Sequence, residues 1–461
     1  MQCNCLNNFP AHTPTTTDNA NGYHLTTHFQ SPRNTLTMFV WRSFEAHQMH
    51  GQHCSIKLRV PKGTVVMLNM GRWQMSNSAR VQTGSMKRFE VGVVTNILTE
   101  HPDIQLLEVL VKAGRETAIN YVALTGKASV GDEVLLNVIA VRLGLGTGGY
   151  HFVVANLTSP TAVPSSHGHI MKMRYSPHQI NVMSADAQES EYHQVLKDAD
   201  SINGMPVLVG ELHSMLAPAS AGFKATLGEE SNVVYIMTDS AALPIAFSEL
   251  VRELKSKGFV DATITIGQAF GGDVECVNIF TALLTAKHIL NASVAIVTPG
   301  PGHVGTATKF GFSGVEAGWM LEAVKALHGE PILIPRVSFS EKRSRHFGIS
   351  HHTVTVLTRI TNVRATVCFH NFDGDERKYV EGQIKSNRIA EHHNIVWEDG
   401  THGIELALSH NLTLRSMGRR FEDDPQYFLT ASASGVYAAK LLIEHRLPRH
   451  NDVADEKEKG K

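Results

Sequence analysis

From Met205 onward, short apolar runs alternate with amphipathic stretches. PVLVGEL (206–212), VVYIMTD (233–239), ATITIG (262–267), the run Ser293–Thr298 and PILIPRV (331–337) are apolar almost throughout. That is the pattern of parallel strands covered on both faces. Between these runs the apolar positions fall at helical spacing. Phe247, Leu250, Val251 and Leu254 share a face after Pro244; Val277, Phe280 and Leu284 share another; Met320, Val324 and Leu327 a third. RATVCFH (364–370), NIVWED (394–399) and LTLRS (412–416) continue the strands, and a helix is predicted across 425–445. Strand–helix alternation with short connections predicts an α/β fold, a doubly wound and mainly parallel sheet.

The stretch before it has a different rhythm. Phe89–Leu98, Leu106–Val111, Thr117–Val122 and Glu133–Val141 are short β-rich runs, cut by turn signals at Ala113-Gly114, Gly126 and Gly131-Asp132. They predict a small all-β barrel of SH3 or OB size over residues 86–157. RLGLGTGGYHFVVANL, with Gly144, Gly146, Gly148 and Gly149, either closes a hairpin or contacts a ligand of the neighbouring domain. Residues 158–167 read as a linker and 168–445 as the α/β domain. In GHIMKMRYSPHQ, Lys172 and Arg174 alternate with apolar residues, as on a strand with one wet face. Residues 1–85 are rich in Asn, Thr, His and Gln without sustained periodicity, so a disordered or non-native extension is expected, with Met86 as an alternative start. The charged tail 446–461 is expected to be disordered.

Composition narrows the function classes. The formal net charge is −1 over 461 residues, which argues against a nucleic-acid-binding surface. The barrel strands supply only Phe89 and Tyr121 for base stacking. No run of 18 apolar residues occurs, so no membrane-spanning helix is expected. The five cysteines are scattered and odd in number, which argues against a disulfide framework and for the cytoplasm. Cys3-x-Cys5 with His24 and His28 matches no zinc spacing.

In a doubly wound sheet, functional groups gather beyond the carboxyl ends of the strands. Glu211 and His213 follow the first strand, and Asp239 and Ser240 the second. Gln268, Gly271, Gly272, Asp273 and Glu275 follow the third. The long loop after the fourth strand carries Gly300, Gly302, Gly305, Thr306 and Ser313; Arg336 and Ser338 follow the fifth. Gly300–Gly305 has G-x-G-x-x-G spacing, but Pro301 removes an N–H and the next helix begins only near Val315. Thr306 stands where a phosphate loop needs lysine, and Gly311–Val315 lacks the last glycine of a nucleophile elbow. Plainer readings accompany these candidates: Asp273 as the N-cap of its helix, Asp239 as a turn cap, His213 as a hydrogen-bonded strand-end histidine. The densest polar cluster is Arg345-His346-Phe347-Gly348-Ile349-Ser350-His351-His352. One reading is a divalent metal held by His351 or His352 with Asp239, Asp273 or His213. Against it, adjacent helical histidines point about 100° apart. The other reading is an anion site using Arg345, Ser350 and the histidines.

At these residues the chain resembles a bacterial family known only as domain of unknown function 3866. The resemblance runs from about Met86 to Leu442 and is carried by TAINYVALTG, VGDEVLLN, GLGTGGYHFVVANL, GHIMKMRYSP, VGELHSMLAP, IGQAFGGDVECVN, VTPGPGHVGTATKFGFSGVEAG, GISHHTVT and RSMGRRFEDDP. His303 and Cys276 depart from it. The resemblance implies no activity. The expectation from the residues is therefore a cytoplasmic enzyme acting on a small phosphate- or carboxylate-bearing metabolite. Asp239, Asp273, His351 or His352 would be the base or metal ligand. Gly271, Gly272, Gly300, Gly302, Gly305, Thr306, Ser313, Arg336, Arg345 and Ser350 would bind the anion. A non-catalytic sensor or scaffold is the alternative, with NAD(P)-dependent redox chemistry behind it. Neither nucleic acid nor membrane is expected as a partner, and an oligomer is compatible.

Overall fold

A computed structural model describes residues 87–146, 148–159 and 168–446, and before them the backbone of four strands. Those four form two antiparallel hairpins, β1 (Leu25–Ser31) with β2 (Asn34–Val40) and β3 (Ser55–Arg59) with β4 (Val65–Asn69). The expectations for the rest of 1–85, for 160–167 of the linker and for 447–461 lie outside the described residues.

The β-rich runs close into a barrel. β5 (Phe89–Glu100), β6 (Ile104–Val111), β7 (Gly114–Tyr121), β8 (Glu133–Asn137) and β9 (His151–Asn156) close in the order β5-β6-β7-β9-β8. Every pair is antiparallel except β7–β9, so β9 crosses the barrel rather than completing a simple hairpin. Alternate residues point inward: Val94, Leu107, Val109, Val134, Leu136 and Val153 fill the interior. On the outside, Ile104, Ile119 and Tyr121 pack against Ala246 of the α/β domain, and Phe152 lies 6.4 Å from Phe247.

The α/β domain is built on eight parallel strands. They are β12 (Pro206–Gly210), β13 (Val233–Thr238), β14 (Ala262–Thr265), β15 (Val274–Glu275), β16 (Val294–Pro299), β17 (Glu330–Ile334), β20 (Thr366–His370) and β21 (Asn394–Glu398). The short antiparallel pairs β10 (Ile170–Lys172) with β11 (Ile180–Val182), and β18 (Val337–Ser338) with β19 (Gly348–Ile349), lie outside this sheet. The sheet order is β15-β14-β13-β16-β12-β17-β20-β21. Successive residues serve opposite layers. Val207, Val209, Ile236, Val297 and Leu333 join one core, whereas Leu208, Tyr235, Met237, Ile296 and Ile332 join the other. Helices Ile279–His288 and Ala317–Ala326 cover the first face, and Leu216–Leu227, Thr401–Ser409 and Pro425–Arg446 the second. β12 lies centrally. The chain builds outward to β15, returns beside β12 with β16, and continues on the other side with β17. The crevice where direction reverses therefore lies over the ends of β12, β16 and β17. Among the described residues, no helix is long and apolar enough to cross a membrane.

Several local expectations change. Lys172 is buried and ion-paired to Glu275, not on a wet strand face. The strand expected at 412–416 shrinks to β22 (Arg415–Ser416), paired with β23 (Arg419–Arg420). The helix after β15 is capped by Asn278, not Asp273. It buries Ile279, Ala282 and Leu283 and leaves Phe280 exposed. Pro244 opens a single turn, and the helix Glu249–Ser256 is capped by Ser248, whose Oγ accepts the Val251 N–H.

Candidate functional site

The residue after β12 is Glu211, buried under the crevice. Its Oε1 accepts the Thr353 hydroxyl at 3.0 Å, and its Oε2 has no hydrogen-bond partner. From the other side, β17 leads to Arg336, which is 2% exposed, the largest fully buried side chain described. One of its terminal nitrogens meets the Met417 sulfur at 3.3 Å and stands 3.9 Å from Glu341; its Nε is unpartnered. The backbone of Arg336 also holds the histidine segment in place. Its N–H donates to Thr353 Oγ1, and its carbonyl accepts from Ser350 N.

That segment enters through β18 and β19. Gly348 has φ +67°, in the left-handed region, so the chain can turn there with no side chain to strain it. Ser350 caps the short helix His351–Thr355 by accepting the His352 N–H, and its Oγ also pairs with His346 Nδ1 at 2.8 Å. Adjacent imidazoles converge: ring centroids are 4.8 Å apart for His346–His351, 4.9 Å for His346–His352 and 4.3 Å for His351–His352. Phe312 stacks on His352 at 3.9 Å and 3°. His303 adds a fourth ring 5.3 Å from His352. The helix then widens into a π-turn at Val356–Ile360, a form frequent at functional sites.

Burial sets the protonation of this group. It holds the His352 imidazole down at about 2, with the neighbouring histidines and Arg336 opposing a further positive charge. His346 is pushed down to about 3 and His303 to about 4 by burial, with Arg336 adding to both; His351 is lowered by burial and Arg345. All four are neutral near pH 7 and present lone pairs. Burial raises the Glu211 carboxyl to about 7, against the pull of Arg336. The result is a proton-exchanging carboxyl 3.8 Å from His352 Nδ1.

A cavity of about 350 Å³ abuts this cluster, lined in part by Leu212, His213, Gly300, Gly302, His303 and Met417. A second, of about 490 Å³, shares His213, Glu249, Leu250 and Pro301 with it and is closed on the far side by the barrel residues Ile119 and Tyr150. The barrel thus walls the approach to the switch point.

The residues singled out in the sequence separate into two groups. Arg336, Ser350, His351 and His352 come together, with Ser313 attached through His303 Nδ1 at 3.2 Å. Gly300 and Gly302 line the cavity. His213 faces the cavities rather than the cluster. Its Nε2 pairs with Ser248 Oγ at 2.7 Å, and burial holds its pKa at about 4. Arg345 is exposed. Asp239 accepts from the Gln268 N–H at 2.9 Å. Asp273 is ion-paired to Lys255 and accepts from the Thr263 N–H and hydroxyl. Both aspartates are bonded around β13 to β15, and among the described residues neither joins the histidines in a set able to hold a metal ion.

The loop at Gly271 and Gly272 is not an anion cradle in this geometry. Around Gly271 and Gly272, the N–H groups from Gln268 to Asp273 are all engaged, by Asp239, Ile266, Leu243, Glu275, Thr265 and Thr263. Beyond Gly305 the chain forms a small hairpin, in which Thr306 N donates to Gly311 O and Ser313 N to Val304 O. It leads to a helical turn at Ser313–Glu316, and no helix opens inside Gly300–Gly305 as a dinucleotide turn requires.

Phe312, Glu341, Met417 and Asp424 also belong to the site or its support and escaped the sequence reading. For Phe312, Met417 and Asp424 the only signal was membership of the stretches 300–314 and 415–425; Glu341 carried none. No curated protein matches the chain. The family described as protein of unknown function (DUF3866) matches residues 117–435, from the third barrel strand into the last helix and across every residue of this site, and the chain belongs to that family.

Proposed function

We propose that this chain is a cytoplasmic enzyme that acts on a small anionic metabolite, carrying phosphate or carboxylate, in the crevice over β12, β16 and β17. One observation carries the reading. Glu211 Oε2, His303 Nε2, Arg336 Nε, His351 Nε2 and His352 Nδ1 are all buried and unpartnered, and all belong to one cluster. Each such atom costs about 1–3 kcal/mol when left unsatisfied. A fold that gathers them in one place is built to have them satisfied by something else. Arg336 offers an N–H and a fixed positive charge to an anionic group. Glu211, poised near neutrality, takes or returns the proton that a bond-making step requires. The poise of Glu211 favours chemistry over a sensor that returns its ligand unchanged. The buried free thiols Cys276 and Cys368 agree with a reducing compartment.

The test is a panel of small phosphates and carboxylates, read by thermal shift and by mass spectrometry of the incubated mixture. An anion of the right class raises the melting temperature of the wild type and not of Arg336→Gln. With Glu211→Gln it still binds but is recovered intact. An anion that stabilises Arg336→Gln as well as the wild type removes the reading, as does a panel that shifts nothing.

A further inference from the structure

We infer that His346, His351 and His352 hold one divalent transition-metal ion, with the Glu211 carboxylate facing its open side. One ring nitrogen from each histidine falls in a set whose members all lie within 4.8 Å of one another. A tetrahedral site with metal–nitrogen distances of about 2.0–2.1 Å brings such atoms to roughly 3.3 Å. The ion itself would draw the nitrogens over the remaining difference. The free nitrogens are identifiable. His346 Nδ1 is occupied by Ser350 Oγ, which leaves its Nε2. His351 Nε2 and His352 Nδ1 are buried with no partner.

Two neighbouring residues of one helix converge here because they use different ring nitrogens. His351 reaches with the distal Nε2 and His352 with the proximal Nδ1. Adjacent residues of one helix can in this way serve one ion.

Electrostatics points the same way. Neutral imidazoles that aim lone pairs at one another repel. A metal ion satisfies all three nitrogens at once. The remaining unpartnered atoms divide by sign: Glu211 Oε2 is an acceptor that faces a cation or its bound water, and Arg336 Nε is a donor that faces an anion. Three histidines with an open position are the donor set of a catalytic zinc-class site, and imidazole selects such ions over magnesium or calcium. Ser350 Oγ anchors His346 Nδ1, and the Phe312 ring stacks on His352. His303 is not needed as a ligand.

The assignment stands apart from the anionic substrate and is tested without one. The full chain, purified without a histidine tag and stripped with chelator, is titrated with zinc and then with cobalt, whose visible bands report nitrogen coordination. The first 85 residues carry further histidines and cysteines, so the diagnostic quantity is the difference between proteins. The wild type should bind one equivalent more than His351→Ala/His352→Ala, and that equivalent should also be lost, or weakened at least about a hundredfold, in His346→Gln. Arg336→Gln and His213→Ala should keep it, and magnesium should not compete. Circular dichroism confirms that each variant is folded. Equal stoichiometry in the wild type and both histidine variants overturns the site. Loss of metal with anion binding intact, or the reverse, separates failure of this inference from failure of the proposed function.

Discussion

At the scale of single residues, chemistry here follows burial and neighbours more than residue type. Glu211 and Asp273 are both carboxylates that follow a strand of the same sheet. Glu211 is shut from water beside one buried arginine, and burial lifts it to about 7. Asp273 is half open, and Lys255 and Thr263 together hold it below its ordinary value. The first can exchange a proton at neutral pH; the second serves as a tie between β14 and its neighbours. Asp273→Ala should therefore cost about 1–2 kcal/mol in chemical denaturation, from lost hydrogen bonds, and leave anion and metal binding unchanged. Glu211→Gln should instead change stability with pH. The native protein holds the Glu211 proton from about pH 4.5 to about 7, where the unfolded chain has released it. The stability this confers is complete below the unfolded value and is lost as pH rises through 7. The glutamine variant should match the wild type in melting temperature near pH 5 and exceed it near pH 8. A constant difference across that range would place the carboxyl at its ordinary value.

At the scale of elements, the strands were readable because both faces of the sheet are covered. VVYIMT has no polar face to hide, and its six residues are all buried. Helix starts were less readable, because caps are set by geometry: Ser248 and Asn278 took the roles expected at Pro244 and Asp273. Strand order was not readable at all. Each strand end can be recognised in the sequence, but β16 inserts between β13 and β12 through long-range pairing that local pattern does not encode. Arg336, His351 and His352 therefore come together in space, while Asp239 and Asp273, grouped with them by their place after strands, are bonded around β13 to β15. Glycines set the distance between helices on one face. A Cβ on Gly222 would stand 2.1 Å from Ser432 O, and one on Gly435 would stand 2.0 Å from Ala219 O. Both contacts are backbone, which cannot rotate away. Gly222→Ala should lower stability by about 1–3 kcal/mol or more through overpacking between Leu216–Leu227 and Pro425–Arg446, measured by denaturant midpoint. Ser248→Ala removes the cap of Glu249–Ser256 and the partner of His213 Nε2, and should cost about 1–2 kcal/mol.

At the scale of the whole molecule, the barrel and the sheet enclose the same approach, and the histidine cluster stores a debt that folding must cover. His303, His346, His351 and His352 lie below their ordinary value of 6.5 in the native state, because burial penalises the charged ring. The unfolded chain takes up protons at these positions once pH falls under 6.5, and the native state does not. Their contribution is therefore fully present above 6.5 and is lost as pH drops toward the native values of about 4 for His303, about 3 for His346 and about 2 for His352. Glu211 works with the opposite sign and releases its proton on unfolding across about pH 4.5 to 7, so it offsets one of the four. Near pH 5.5 His303, His346 and His352, less the proton released by Glu211, should account for an uptake of at least about two protons on unfolding, equivalent to a slope of at least roughly 3 kcal/mol per pH unit. Calorimetry of the metal-free protein in two buffers of different ionisation enthalpy counts those protons directly. Replacing His351 and His352 with asparagine should reduce the count by at least about one. If the count is the same in wild type and variant, these imidazoles are charged in the native protein, and a cluster of charged imidazoles could neither hold a metal nor leave lone pairs over the crevice.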